Sequence, residues 1–347
     1  MFVGDIILIY KKNFYYQTVL GVDDSSMVKE VIENKEKHYK PIVIYNRGKK
    51  REINCIEEKR ELYNFQSNLA KNFLNKLPLP DNVCGFVKNR SYRDFLVPHI
   101  NSHNSDRFYL RLDIKDFFNS ISESHLREVL QEYVTIIDKE DNEEVILSMV
   151  NLVTLNGSLP QGGVTSPVLS NLVFRSIDIR IRNYCRKLDV TYTRYADDML
   201  FSCDKEKVIN GFFIKMIISI LKSKKFVLNR RKVKKGASQI SLNGFVVSHN
   251  IRISRKKRQD INRFIFLWEK GGTPKTIDEL ILRLNSFDFS YRIKDFNSKY
   301  SVLNYLAGYR SMLINWLPNE FDDEWYQQSE RLIRKINMII MKIEQLE

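Results

Sequence analysis

The sequence predicts an α+β fold, in which strands and helices are mixed without strict alternation. Three observations support this class. Short β-branched and aromatic runs predict hairpins at 41–53, 190–203 and 244–254. Segments with apolar residues at helical spacing separate these hairpins. After residue 255 the pattern is helical to the end, with one break at 271–274. Such an order is not typical of a doubly wound sheet, which would alternate strand and helix.

The change to a purely helical pattern also predicts domain borders. We divide the chain into residues 1–105, 106–254 and 255–347, with segments near 140–165 returning to the first part. No apolar run reaches the ~18 residues of a membrane span. The short apolar start lacks the basic leader and the cleavage site of a signal peptide. The four cysteines match neither a zinc site nor a disulfide framework, so we expect reduced thiols in a cytoplasmic protein.

The positive charge is concentrated in one part of the chain. The net charge is +14, and residues 222–275 contain sixteen Lys and Arg but only two acids. A local basic band of this kind favours a polyanionic partner such as a nucleic acid. The alternative is a solvated basic face with no ligand.

Three acids are candidates for a metal site. The strand predicted at 108–112 ends at Asp113, and Asp197-Asp198 lies between two apolar runs, at the tip of a predicted hairpin. Adjacent carboxylates repel each other unless a cation lies between them. Oxygen ligands of this kind suit Mg²⁺, and two such ions can catalyse an in-line phosphoryl transfer.

Paired acids are common and usually solvated, and the chain contains two other pairs for comparison. Asp23-Asp24 precedes two serines in a predicted loop, and Asp322-Asp323 opens a predicted helix whose N-terminal dipole favours acids. We assign both pairs to structure. The pair at 197–198 differs because apolar strands are predicted on both sides of it.

Five segments carry a family resemblance. Tyr195-Ala196-Asp197-Asp198 matches the Tyr-x-Asp-Asp motif of reverse transcriptases, and Leu112–Phe118 resembles their first palm motif. Leu159–Pro167 is similar to their Pro-Gln-Gly segment, Gly85–Ser91 to the Gly-Phe-x-x-x-Arg-Ser motif of bacterial members, and Lys50–Ile53 to a fingers strand. The resemblance implies a right-hand polymerase, with fingers in 1–105, a palm of antiparallel sheet plus helices in 106–254, and a helical thumb in 255–347.

The resemblance also implies roles for single residues. Asp113, Asp197, Asp198 and the carbonyl of Ile114 would hold two Mg²⁺ ions, with Mn²⁺ as a substitute. The residues expected to contact the incoming nucleotide are Arg51, Lys88, Asp116, Phe117, Phe118, Gln161 and Lys232. Those expected to contact nucleic acid are Arg90, Gly162, Tyr195, Arg230, Arg231, Lys234, Lys235, Arg255, Lys256, Lys257 and Arg258.

Several of these residues have plainer alternatives. Phe118 matches the steric gate that excludes a ribose 2′-hydroxyl, but it could be a core residue like the adjacent Phe117. Lys232 is a candidate proton donor to pyrophosphate or a simple electrostatic contact. Arg51, Lys88 and Arg90 could be solvated charges.

The compact form resembles bacterial retron and defence-associated reverse transcriptases. We therefore expect an RNA-directed DNA polymerase that copies a structured noncoding RNA with dNTPs into an RNA–DNA duplex, in phage defence. The RNA could also supply the primer, and an effector or second polymerase protein from the same operon is an expected partner; no membrane is. Phe95–His99 and Leu242–Gly244 depart from the retron pattern, so the retron and other defence-associated groups both stay open.

Three other activities also stay open. One is a DNA polymerase that is template-independent or templated by protein, the second is a noncatalytic RNA-binding scaffold, and the third is an RNA-dependent RNA polymerase. The last would use rNTPs efficiently, which Phe118 argues against.

Overall fold

The computed structural model describes residues 8–46, 49–101, 106–270, 272–289, 295–318 and 323–346. Helices and antiparallel strands are mixed within these ranges, which confirms the predicted α+β class. The chain forms two compact units, one of residues 1–98 with 108–235 and one of residues 99–107 with 236–347. The three-part division into fingers, palm and thumb stays a prediction.

Among the described residues, the first unit contains most of the strands and seven α-helices. Its strands are β1 (Tyr39–Asn46), β2 (Lys49–Ile56), β3 (Phe108–Asp113), β4 (Thr191–Tyr195), β5 (Asp198–Cys203) and the start of β6 (Lys234–Ala237). Its helices are α1 (Ser25–Glu33), α2 (Glu61–Asn72), α3 (Tyr92–Leu96), α4 (Glu123–Leu130), α5 (Lys139–Val153), α6 (Ser166–Arg186) and α7 (Gly211–Lys222).

Two sheets form from these strands. β1 and β2 make the predicted antiparallel hairpin, whose turn at 47–48 lies outside the described residues. The other sheet has the order β4-β5-β3-β6, with β5 antiparallel to both β3 and β4. Every residue of β5 is buried, so both faces of this strand are covered. The sheet therefore gives a rigid base to the segments at its strand ends.

Helix α6 supplies a large part of the core of this unit. Its rings and aliphatic side chains join those of the sheet and of neighbouring helices in one cluster, and Phe174 contacts Phe117 and Phe226 edge-on. The residue at its N-cap position is Thr165. The hydroxyl of Ser166, the first helical residue, donates to the Pro160 carbonyl at 2.8 Å, which fixes the preceding loop.

The second unit has a small sheet followed by helices. Its elements are β7 (Ile240–Leu242), β8 (Phe245–Val247), β9 (Ile251–Ile253), α8 (Arg255–Glu269), α9 (Ile277–Asn285), α10 (Lys299–Asn315) and α11 (Glu324–Glu344). The predicted hairpin at 244–254 and the change to helices at 255 are both confirmed. Its core includes a ring cluster of Phe264, Phe289, Phe296 and Tyr305.

Three further observations bear on smaller predictions. All four cysteines are free, and burial raises the pKa of the Cys84 thiol to about 11. Asp24 caps α1 by accepting from the Ser26 amide, so the two serines that were predicted to lie in a loop begin a helix instead. Asp323 caps α11 as expected for a helix start, and Asp322 lies outside the described residues. Among the described helices, none combines the length and the apolar character that crossing a membrane requires.

Candidate active site

The sheet brings the three predicted acids together. Asp113 ends β3 and Asp198 begins β5, and the two residues lie directly opposite each other in the antiparallel register. Asp197 lies in the tight turn between β4 and β5, and its carbonyl accepts from the Ile114 amide at 3.0 Å. Facing residues of an antiparallel pair have Cβ atoms about 5 Å apart. The carboxylates at 113 and 198 are therefore neighbours on one face of the sheet.

These acids are poorly solvated. Asp113 is 2% exposed and Asp198 is 6% exposed. Burial first, and then the negative charges of Asp198 and Asp113, raise the pKa of Asp197 to about 6. The cluster is thus one in which nearby positive charge is needed to relieve repulsion.

Basic side chains meet two of the acids. Lys232 donates to Asp113 Oδ2 at 2.7 Å. Arg111 donates through Nε and Nη2 to Asp198, with distances of 2.6 to 2.9 Å to its two oxygens. Lys232 was predicted from the family pattern. Arg111 was missed, although strand alternation places it on the same face as Asp113, two residues earlier.

The donor set fits a divalent ion. Asp113 Oδ1 is buried and has no hydrogen-bond partner, so one carboxylate oxygen is available to a cation. Within the described ranges, no group of three or more acidic, His or Cys side chains is already arranged to hold a metal. Lys232 and Arg111 already contact oxygens of two of the three acids. The metal role of these acids and of Ile114 stays a prediction.

A buried ion pair supports the turn that carries Asp197. Arg194 and Asp178 are both fully buried, and the guanidinium meets both carboxylate oxygens at 2.7 to 3.1 Å. Arg194 Nη1 also donates to the Ala196 carbonyl at 2.9 Å, inside the turn. Ala196 itself has φ 54°. The pair therefore connects helix α6 to the turn of the acids.

The segment at 82–85 packs against the same turn. Cys84 N donates to the Arg194 carbonyl at 2.8 Å, so this segment runs beside β4. A Cβ on Gly85 would lie 2.5 Å from the Ala196 amide nitrogen. The buried Asn171 amide donates to the Gly85 carbonyl at 2.8 Å. A glycine is required at 85 because the two backbones are in contact.

The two adjacent phenylalanines have different environments. Phe117 is 5% exposed and its ring contacts Phe174 and Phe226 in the core. Phe118 is half-buried, and its ring centre lies 6.1 Å from that of the exposed Phe86. Phe86 has φ 60°, which a bulky residue adopts only when its surroundings impose it. Phe118 is therefore the residue of the two that can meet a ligand, and Phe117 is a core residue.

The loop at 161–162 contacts the hairpin of β1 and β2. The Gln161 carbonyl accepts from the Asn54 amide at 2.8 Å, and Gly162 has φ 109°. A Cβ on Gly162 would lie 2.5 Å from a methyl carbon of Ile53. The close contact with β2 is thus a sufficient reason for a glycine at position 162, and no contact with nucleic acid is needed to explain it. The side chain of the predicted Arg51, also on β2, lies outside the described residues.

Other predicted residues have more ordinary contacts. Arg90 donates to the carbonyls of Asp81 and Val83 at 2.5 and 2.6 Å, so it stabilises its own loop. Lys257 lies 4.5 Å from the Phe245 ring centre, and burial lowers its pKa. Arg258 lies over the Trp325 ring at 5.3 Å.

The remaining residues that were predicted to contact nucleotide or nucleic acid are exposed to solvent or lie next to the acidic cluster. Tyr195 is half-buried and lies opposite Asp198. The exposed members of the predicted set are Lys88, Asp116, Arg230, Arg231, Lys234, Lys235, Arg255 and Lys256. Their roles in binding nucleotide or nucleic acid stay predictions.

Comparison with known proteins agrees with the sequence motifs. The family described as reverse transcriptase (RNA-dependent DNA polymerase) matches residues 34–247. Retron Se72 reverse transcriptase of Salmonella heidelberg (strain 579083-10) is 25% identical, with 70% of this chain and 64% of that protein covered. Retron Ec73 reverse transcriptase of Escherichia coli is 30% identical, with 58% of this chain and 67% of that protein covered. The chain thus spans about two thirds of the length of these relatives.

Solved structures are more distant. A telomerase from Candida albicans in complex with a TWJ fragment of telomeric RNA is 12% identical and has a TM-score of 0.43, with 92% of this chain and 66% of that chain covered. An apo telomerase from Candida tropicalis has the same identity and TM-score, with 88% and 65% covered. The family match, which spans more than half of the chain, and the retron relatives decide the assignment. The chain belongs to the reverse transcriptase family of RNA-directed DNA polymerases, and it is of the bacterial retron type.

Proposed function

We propose that the protein copies a structured noncoding RNA into DNA, with two Mg²⁺ ions bound at Asp113, Asp197 and Asp198 and at the Ile114 carbonyl. One observation supports this most directly: Asp113 and Asp198 face each other across β3 and β5, and Asp113 keeps a buried carboxylate oxygen without a partner. The Mg²⁺ ions would supply activation of the primer 3′-hydroxyl and stabilisation of the leaving pyrophosphate.

Residues of the chain would hold the metal ions, donate a proton and select the sugar of the nucleotide. Asp113, Asp197 and Asp198 provide the negative charge that holds divalent ions, and the buried pair of Arg194 and Asp178 keeps their turn in place. Lys232, which contacts Asp113 and is 42% exposed, lies where it could donate a proton to the leaving group. Phe118 would contact the sugar of the incoming dNTP and disfavour a 2′-hydroxyl.

The basic band supports a nucleic-acid partner. Residues 222–275 contain sixteen Lys and Arg, several of them exposed, and phosphate neutralisation by such residues gives sequence-independent and salt-sensitive binding. We propose that this band holds the RNA template and the RNA–DNA product. We also propose a role in phage defence in the bacterial cytoplasm, with an effector or second polymerase protein from the same operon; the similarity to retron reverse transcriptases supports this choice.

A primer-extension assay with a defined RNA template, dNTPs and Mg²⁺ tests the proposal. Asp197→Asn should abolish DNA synthesis and leave RNA affinity nearly unchanged, because it removes one negative charge at the acids but no basic side chain. Asp24→Asn is the matched control, since Asn caps a helix as well as Asp does. Full activity of the Asp197→Asn protein would contradict the proposal.

The same assay separates the other candidate activities. A noncatalytic scaffold would bind RNA and incorporate no nucleotide on any template. A template-independent or protein-templated polymerase would make the same product with and without added RNA, which sequencing of the product would show. Efficient incorporation of rNTPs would indicate an RNA polymerase.

A further inference from the structure

We infer that Arg111 competes with a divalent ion for the Asp198 carboxylate, so that this arginine stabilises the metal-free protein and weakens its affinity for metal. The inference rests on the proposed metal site. It concerns a residue outside the predicted set of site residues.

The geometry of the ion pair is the first argument. Arg111 Nη2 lies 2.6 Å from Asp198 Oδ1 and 2.8 Å from Oδ2, and Nε lies 2.9 Å from Oδ1. Both side chains are nearly buried, at 12% and 9% exposure. A bidentate contact of this kind is among the stronger ion-pair arrangements in proteins. Both Asp198 oxygens therefore already have a cationic neighbour before a metal arrives.

The contrast with Asp113 is the second argument. Lys232 contacts only Oδ2 of Asp113, and Oδ1 has no partner. The Lys232 side chain is 42% exposed on a flexible stem. A metal ion can therefore bind Asp113 without displacing Lys232. At Asp198 it must share the oxygens with a guanidinium or move it away.

The charge of Arg111 is the third argument. A guanidinium keeps its proton at every working pH, so deprotonation cannot remove the competition. Like charges a few ångströms apart in a poorly solvated site repel strongly. A divalent ion next to Asp198 therefore meets a fixed positive charge in addition to the carboxylates that attract it.

The ion pair also has a benefit for the metal-free protein. Without Arg111, the nearly buried Asp198 would lose a bidentate cationic contact beside the negative charges of Asp113 and Asp197, and removing one partner of a buried ion pair is destabilising. Arg111 thus acts as a resident cation. Its effect on folding and its effect on metal affinity have opposite signs, and this makes the inference testable.

The test is Mn²⁺ binding followed by electron paramagnetic resonance of the free ion, with thermal unfolding in EDTA and in Mn²⁺. Arg111→Met should bind Mn²⁺ at least about tenfold more tightly than the unaltered chain, because it removes one fixed positive charge. It should unfold at a lower temperature in EDTA and recover more on addition of Mn²⁺. Arg175→Met is the matched control, because Arg175 pairs with Glu132 away from the acids. It should leave Mn²⁺ affinity unchanged.

A second variant keeps the inference testable if Arg111→Met does not fold. Arg111→Lys retains the charge but cannot reach both oxygens with a planar fork, so we expect a smaller gain of about threefold in Mn²⁺ affinity. Unchanged or weaker Mn²⁺ binding in the folded Arg111 variants would overturn the inference, and weaker binding would show that Arg111 orients Asp198 for the metal. If the unaltered chain and Asp113→Asn bind Mn²⁺ equally poorly, the proposed metal site itself is overturned.

Discussion

Arg194 and Asp178 form a fully buried ion pair that ties helix α6 to the turn of the acidic cluster. Removing one partner leaves the other as an unpaired charge in the core. We expect Arg194→Met to reduce the free energy of unfolding by about 3–5 kcal/mol, measured by urea denaturation. Arg334→Met is the control, because Arg334 is 73% exposed in its pair with Glu330 and should cost less than about 1 kcal/mol. Equal losses in the free energy of unfolding of the two variants would show that the buried ion pair stabilises the fold no more than an exposed one.

The contact between Gly85 and the turn predicts an effect on catalysis. Gly85→Ala places a Cβ 2.5 Å from the Ala196 amide nitrogen, so the turn or the 82–85 segment must move. Small displacements of reacting groups can lower rates by about a hundredfold. We expect a drop in primer extension of about that size, with little loss of RNA binding. Gly308→Ala, where nothing lies within 4 Å of the new Cβ, should be fully active; equal activity of the two variants would contradict this account.

The raised pKa of Asp197 predicts how the metal-free protein responds to pH. A carboxyl whose pKa is raised from 3.8 to about 6 binds its proton more tightly in the folded state. Its contribution to stability is therefore present at low pH and is lost as the pH rises from about 4 to about 6. In EDTA, the unfolding free energy of the unaltered chain should fall by about 2 kcal/mol relative to Asp197→Asn over this range. Parallel pH curves for the two proteins would exclude the raised pKa.

The two neighbouring phenylalanines should respond differently to truncation. Phe117→Ala empties part of the core next to Phe174 and should cost about 3–5 kcal/mol of stability. Phe118→Ala should cost less, because Phe118 is half-buried, and it should raise the use of rNTPs relative to dNTPs. Competition between dNTPs and rNTPs in primer extension measures the second effect. If Phe117→Ala changes the ratio and Phe118→Ala does not, the gate assignment is wrong.

Sequence reasoning reached the parts of the site that are local in the chain. Asp113 could be placed at a strand end and Asp197 and Asp198 at a hairpin tip, because short apolar runs and their order define these positions. The partners of the acids could not be found in this way. Arg111 and Asp198 are 87 positions apart, and their contact depends on the register of β3 against β5. The pairing of Arg194 with Asp178 likewise depends on where α6 packs.

Other differences have similar causes. The residue pattern did not reveal that Arg90 would bond to the carbonyls of its own loop, because a loop conformation is not encoded by periodicity. It also could not decide between Phe117 and Phe118 as the core residue. The tertiary contacts with Phe174 and Phe226 decide that question.

The antiparallel pairing of β3 with β5 has a consequence for synthesis on the ribosome. The hairpin of β4 and β5 is local and can form early, but β3 is made long before β5, and pairing them requires closure of a long loop. The acids at 113 and 198 therefore cannot meet until the ribosome has released the chain past Cys203. Until then the acids at 113 and 198 lie apart, so the metal site that we propose cannot form on an unfinished chain.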